Sequence, residues 1–150
     1  MRLFFDTEFT DLVECDLISI ALVAEDGREF YAERNDFASA KCNDFVVKNV
    51  LPLLGVWPER VMSKDRLARE LCTWLAQFQS EAPVLCFDFA GDIGLLVDLI
   101  GPLPAWLSTA NVMHKIDQDV WNEFLRLVDR PAHHALWDAR ANRAAYRSTT

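Results

Sequence analysis

The chain opens on two carboxylates two residues apart. Asp6-Thr7-Glu8 closes an apolar run, Arg2-Leu3-Phe4-Phe5. Side chains alternate along a β-strand, so Asp6 and Glu8 share one face with Phe4, and Leu3, Phe5 and Thr7 share the other. Like charges side by side on a sheet face are destabilising. Either the strand is an edge with both groups solvated, or a cation between them removes the repulsion. A third acid, Asp92, follows the apolar run 83–87 in the stretch Phe87-Asp88-Phe89-Ala90-Gly91-Asp92-Ile93-Gly94. Taken alone it is an ordinary first-turn acid, whose carboxylate complements the helix dipole by about 0.3–1 kcal/mol. Near the C-terminus, His133-His134-Ala135-Leu136-Trp137-Asp138 sets a fourth acid five residues after a histidine. By itself a histidine pair beside a proline loop is surface decoration. Four carboxylates with no cysteine among them suit hard cations such as Mg²⁺ and Mn²⁺ and disfavour zinc. An imidazole, which titrates near neutrality, suits a general base.

These groups need elements to hold them. The pattern predicts strands at 2–9, 16–24 and 28–34, with Glu25-Asp26-Gly27-Arg28 as the turn between the last two, hence an antiparallel meander. Asn43-Asp44 caps a short helix carrying Phe45, Val46, Val50 and Leu51. The stretch 53–62, with Gly55 and Pro58, reads as loop. Ser63 caps a helix running to about Phe78, with Leu67, Leu71, Trp74, Leu75 and Phe78 on one stripe. A central strand at 83–87, a helix from Gly91 to Ile100, a short strand at 111–113, a helix from Asp117 to Val128 and a last helix from Ala135 to Arg147 complete the pattern. Three antiparallel strands followed by strands alternating with helices fit an α/β fold: a mixed sheet flanked by helices, of the ribonuclease H-like plan.

At 150 residues the chain is predicted to be a single domain, 1–150, with 51% hydrophobic and 25% charged residues excluding disordered and fibrous classes. No apolar run reaches the roughly 18 residues of a spanning helix, and no secretory pattern is present, so a cytoplasmic protein without membrane contact is expected. The cysteines at 15, 42, 72 and 86 form no C-x-x-C pair and are expected as reduced, buried or half-buried thiols. A net charge of −8 excludes a basic coat protein for nucleic acid, but not an enzyme whose bound cations invert the field inside its cleft.

In order and setting, the acids and the histidine resemble the DEDDh family of 3′→5′ exonucleases, over residues 6 to 138. Asp6 and Glu8 match its first-strand D-x-E, Asp92 the acid that leads a helix, and His133 with Asp138 the H-x₄-D near the C-terminus. The opening and closing segments look most like the branch of small bacterial and phage exoribonucleases that includes mycobacterial RNase AS. The resemblance implies phosphodiester hydrolysis with two Mg²⁺ or Mn²⁺ ions. Asp6 would bridge the ions, Glu8 and Asp138 would hold the one carrying the attacking water, Asp92 would assist the other, and His133 would be the base. It also implies a homodimer and single-stranded RNA 3′ ends as substrate, tilting the choice between RNA and DNA to RNA.

Two departures stand out. Many relatives carry Asn four residues before the second-motif acid; here it is Asp88, either a supporting group or a rival ligand. His134 competes with His133, but only His133 has the five-residue offset. Thr7, Phe9 and Thr10 are the expected substrate contacts, with Phe9 either stacking on a base or packing in the core. Arg140, Arg143 and Arg147 lie on one side of the last helix, either solvated or meeting phosphates or a partner. Trp57, Trp106, Trp121 and Trp137 are expected in the core or an interface. The rivals are a ribonuclease H-type endonuclease, a 3′→5′ exodeoxyribonuclease, and a non-enzymatic acidic mimic of nucleic acid.

Overall fold

The apolar run Leu17–Ala24 becomes strand β2, and all eight of its residues are buried. A strand buried on both faces needs neighbours on both edges and layers above and below it. In the computed structural model, which describes residues 1–148, β2 pairs antiparallel with β1 (Arg2–Phe9) on one side and β3 (Glu29–Arg34) on the other. The turn joining β2 to β3 puts Gly27 at φ 95°, a left-handed backbone that glycine adopts without a Cβ clash. β4 (Val61–Met62) runs parallel to β3, while β5 (Val84–Phe87) and β6 (Ser108–Asn111) extend the sheet in parallel beyond β1. The order β4-β3-β2-β1-β5-β6 is a mixed sheet, antiparallel then parallel, in keeping with the ribonuclease H-like plan expected.

Among the described residues, five α-helices complete the layers: α1 (Asp44–Asn49), α2 (Lys64–Ala76), α3 (Gly91–Ile100), α4 (Gln118–Leu127) and α5 (Ala135–Ala145). α2 and α3 cover one face, where Leu67, Leu71, Leu75, Leu96 and Leu99 pack with Leu3, Phe5, Ile20 and Leu22. α5 covers the other, setting Ala135, Leu136 and Ala139 on Ala21, Val23 and Tyr31. α4 packs on α5, where the Trp121 indole N–H donates to Asn142 Oδ1 at 3.0 Å. The predicted caps form: Asn43 Oδ1 accepts from the Val46 N–H at 2.9 Å and Ser63 Oγ from the Arg66 N–H at 3.4 Å. No helix of the described residues is long and apolar enough to cross a membrane.

Several expectations need correction. The stretch 53–62 is not all loop. It holds a 3₁₀ turn at Pro58–Arg60 and the two-residue β4, anchored by Met62, which is buried beneath α2. The last strand lies at Ser108–Asn111 rather than 111–113; as an edge strand, it needs no apolar alternation to reveal it. Cys86 is buried and Cys42 half-buried, but Cys15 and Cys72 are exposed, Cys72 because it lies off the leucine stripe of α2. The last helix ends at Ala145, so it carries Arg140 and Arg143 but not Arg147, and all three arginines are engaged within the chain. Arg140 grips both Glu29 oxygens at 2.8 and 2.5 Å, Arg143 donates to the Glu25 carbonyl at 3.0 Å, and Arg147 pairs with Asp117. All four tryptophans named above are half-buried.

Candidate active site

The site lies where the sheet opens. β1 pairs with β5 only as far as Phe4 opposite Cys86, whereas its pairing with β2 runs on to Phe9. Past Phe4, the β5 side of β1 faces Asp88, just beyond the end of β5, and the start of α3. Crevices beyond the carboxyl ends of parallel strands are where α/β sheets bind ligands. β1 is thus an interior strand, and its two acids are not edge decoration: Glu8 is 8% exposed and Asp6 half-buried. Opposite Glu8 and Phe9 the register slips, leaving Ile18 as an extra residue of β2. Such bulges bend a strand and recur beside active sites. Ile18 packs with Val46 of α1 and with Val50 just after it, which stations that helix at the rim.

Into this opening the helices deliver the remaining groups. Asp92 comes from the first turn of α3 and Asp138 from that of α5. Asp6, Glu8, Asp92, Asp138 and His133 all line one cleft of about 520 Å³. Ligating atoms of Glu8, His133 and Asp138 lie within 4.8 Å of one another, and so do those of Asp6, Asp88 and Asp92. The structure therefore gathers the five expected residues and brings Asp88 in beside them.

The five-residue offset between His133 and Asp138 has a visible cause. His133 takes a left-handed backbone at φ 68°, uncommon for a residue other than glycine. That turn aims its N–H at Asp138 Oδ2, 2.9 Å away, which ties His133 to the acid at the head of α5. The His133 ring is exposed and meets Phe45 edge-on at 4.8 Å. His134 points the other way. It is 4% exposed, stacks on Tyr31 at 4.9 Å, and places Nε2 3.2 Å from the Tyr31 hydroxyl. Burial pushes its pKa down to about 4, which keeps it a neutral core residue.

The expected substrate contacts divide. Thr7 lines the cleft, but its hydroxyl donates to Asp92 Oδ1 at 2.6 Å, so it orients an acid across the sheet edge. Phe9 lines the cleft while packing on the main core, and stacks on Phe89 at 5.8 Å with planes 16° apart. Thr10 is fully buried outside the cleft lining. Its hydroxyl donates to the Glu14 carbonyl at 2.9 Å and accepts from the Asp16 N–H at 3.0 Å, which closes the loop after β1. Asp11, Leu12, Asn43, Phe45 and Phe89 also line the cleft, and these were not expected. Asn43 carried a cap signal; the others have no local pattern and reach the cleft through tertiary placement.

The site is electrostatically uncompensated. Arginines and lysines pair with acids elsewhere, yet none pairs with Asp6, Glu8, Asp88, Asp92 or Asp138 among the described residues. Desolvation, then the nearby charges of Asp138, Asp92, Glu8 and Asp88, hold Asp6 well above the usual carboxylate range. Burial, with Asp138 and Asp92 adding to it, pushes Glu8 up to about 8. Burial raises Asp92 to about 7 against the opposing Thr7 hydroxyl, and Asp138 to about 7 against the His133 N–H. The buried oxygens Asp92 Oδ2 and Asp138 Oδ1 have no hydrogen-bond partner. Hard oxygen donors, orphaned and without a counter-charge, fit divalent cations of the Mg²⁺ or Mn²⁺ kind.

A pH dependence follows for the metal-free protein. These acids hold their protons more tightly folded than unfolded, where carboxyls titrate near about 4. Between about pH 4 and pH 8 the folded state therefore binds more protons, and stability falls as pH rises. In EDTA the melting temperature is expected to drop by several degrees from pH 5 to pH 8. Added Mn²⁺, which binds the ionised groups, is expected to recover it most at the higher pH. A thermal melt series with and without the metal checks both trends.

No family model matches the chain. Two proteins of Mycobacterium tuberculosis are similar along its whole length: the 3′-5′ exoribonuclease Rv2179c of strain H37Rv and the 3′-5′ exoribonuclease MT2234.1 of strain CDC 1551. Each is 31% identical over an alignment of 170 residues covering 100% of this chain and 94% of the relative. With an acidic cleft at the open end of a ribonuclease H-like sheet and that kinship over full length, the chain belongs to the family of these 3′-5′ exoribonucleases.

Proposed function

We propose that residues 1–150 act as a single cytoplasmic domain, a metal-dependent 3′→5′ exoribonuclease of the DEDDh type. It releases 5′-mononucleotides one at a time from single-stranded RNA 3′ ends. The observation that carries this reading is the convergence of Asp6, Glu8, Asp92, Asp138 and His133 on one cleft lined by no lysine or arginine. Kinship with proteins named 3′-5′ exoribonucleases supports the RNA substrate and the polarity.

Two Mg²⁺ or Mn²⁺ ions, when bound, supply charge stabilisation of the scissile phosphate and a lowered pKa for the attacking water. Glu8 and Asp138 would help hold one ion and Asp6 and Asp92 the other, with Asp6 placed by the resemblance as a ligand of both. The chain's own groups do the rest. Thr7 fixes the rotation of the Asp92 carboxylate, and the His133 N–H fixes that of Asp138. The His133 ring, exposed at the rim, accepts the proton of the attacking water at a ring nitrogen. An acidic lining repels a long phosphate backbone, so the substrate is held at its end rather than along a track. Phe89, 46% exposed and backed by Phe9, offers a ring face to a base, and Phe45, beside His133, lines the same cleft. We assign the reading of the 2′-hydroxyl to main-chain groups near Glu8 and Phe9.

Base stacking contributes about 1–3 kcal/mol per base. Phe89→Ala is therefore expected to raise KM for RNA roughly 5- to 150-fold with a much smaller change in kcat, read from initial rates.

The reading is tested by a time course on matched 5′-labelled RNA and DNA oligomers, with one RNA blocked by a 3′-phosphate. Stepwise shortening from the 3′ end, faster on RNA and strongly slowed by the block, is the expected result. Internal cuts appearing first would reject the exonuclease assignment, and equal or faster DNA digestion would reject the sugar preference alone. Sedimentation velocity tests the homodimer that the resemblance implies.

A further inference from the structure

Asp88 is the acid gathered beside Asp6 and Asp92 that the proposed chemistry does not use. It sits at the open end of the sheet, directly after β5 and four residues before Asp92. A carboxylate oxygen of Asp88, one of Asp6 and one of Asp92 lie within 4.8 Å of one another. None of the three has a lysine or arginine partner among the described residues. A second observation points to a ligand. Asp92 is 1% exposed; its Oδ1 takes the Thr7 hydroxyl, while Oδ2 is buried with no partner. With Thr7 holding one oxygen, the other is free for something outside the protein. Three carboxylates, one of which keeps an orphaned oxygen, attract a cation and repel an anion.

We propose that Asp88 is a direct ligand of the ion held by Asp6 and Asp92, so that this side of the centre carries three carboxylates instead of two. The assignment rests on the two-metal reading above and deepens it. The charge of Asp88 presses on more than one neighbour, helping to raise the pKa of Asp6, Asp92 and Asp138, as a group facing the whole cluster must. The consequence is a second ion bound more tightly than an amide at position 88 allows. An amide offers one neutral oxygen, whereas the carboxylate adds a full charge to the site. The chain is then active at low free metal concentration.

Calorimetric titration of the full chain with Mn²⁺ tests this, comparing wild type, Asp88→Asn and Asp88→Glu. The amide is near-isosteric with the acid, so the fold is kept. Wild type is expected to bind two ions. Asp88→Asn is expected to weaken one of them by more than the roughly 10–100-fold that loss of an outer-shell partner costs and leave the other within about threefold. Asp88→Glu, which keeps the charge, is expected to fall between. In parallel, Asp88→Asn is expected to melt higher in EDTA, because one repelling charge is gone, and to gain less from added Mn²⁺. A wild type with two ions and an Asp88→Asn variant matching it at both overturns this assignment alone. A wild type that binds fewer than two ions overturns the two-metal reading with it.

Discussion

Asp6→Ala is expected to abolish RNA hydrolysis, leave the fold intact and raise the melting temperature of the metal-free chain. Asp6 is the acid most pressed by its neighbours: its pKa is raised by burial and by four other carboxylates. Removing it relieves that repulsion, so the apo protein is stabilised by the same change that disables it. Strain of this kind is what a site selected for chemistry rather than stability retains. It also takes away the group proposed to hold both ions, which no other residue of the cleft replaces. Circular dichroism and thermal melts in EDTA read the first effect, and single-turnover digestion of labelled RNA reads the second. Near-normal activity in Asp6→Ala, or in Asp138→Ala, would sink the two-metal reading.

The second large effect separates two adjacent histidines. His133→Ala is expected to lower turnover by roughly 10²–10⁴-fold, the usual size of a general-base contribution, with little change in stability. His133 is exposed at the cleft and holds Asp138 through its backbone N–H, which alanine retains. His134→Ala is expected to do the reverse. Its ring is packed between Tyr31 and Trp57, so truncation opens a cavity and orphans the Tyr31–His134 contact. Stability falls while turnover per folded molecule stays close to normal. If instead His134→Ala carries the catalytic loss, the third motif is misread by one residue.

How much of this was legible in the sequence depends on how local each signal is. Alternation along one strand is enough to put Asp6 and Glu8 on a common face, and the structure keeps them there. Asp92 was ambiguous, because a helix-capping acid and a metal-facing acid have the same local pattern; only the order of the whole set separated them. The His133–Asp138 offset was readable as spacing, but its cause was not, since nothing in Pro131-Ala132-His133 announces a left-handed histidine. The walls of the cleft were illegible for a different reason. Phe45 reaches the site because α1 is seated on the bulged Ile18, and a bulge inside an unbroken apolar run leaves no trace in polarity. Phe89 looked like any aromatic near a strand end, and its stacking on Phe9 is a long-range contact. Thr10 shows the opposite failure. Adjacency to the D-x-E motif suggested substrate contact, but the hydroxyl is engaged in closing the loop.

As proposed above, the acids of the cleft act through bound divalent cations to remove nucleotides from an RNA 3′ end. The most direct measurement strips the full chain with EDTA and follows 5′-labelled single-stranded RNA with no metal, with Mg²⁺ and with Mn²⁺, beside Asp6→Ala under the same conditions. The predicted result is no shortening without metal, a ladder of products losing one nucleotide at a time once either ion is restored, and no ladder from Asp6→Ala at any metal concentration. Undiminished digestion by the stripped wild type, or a metal-dependent ladder from Asp6→Ala, would contradict it.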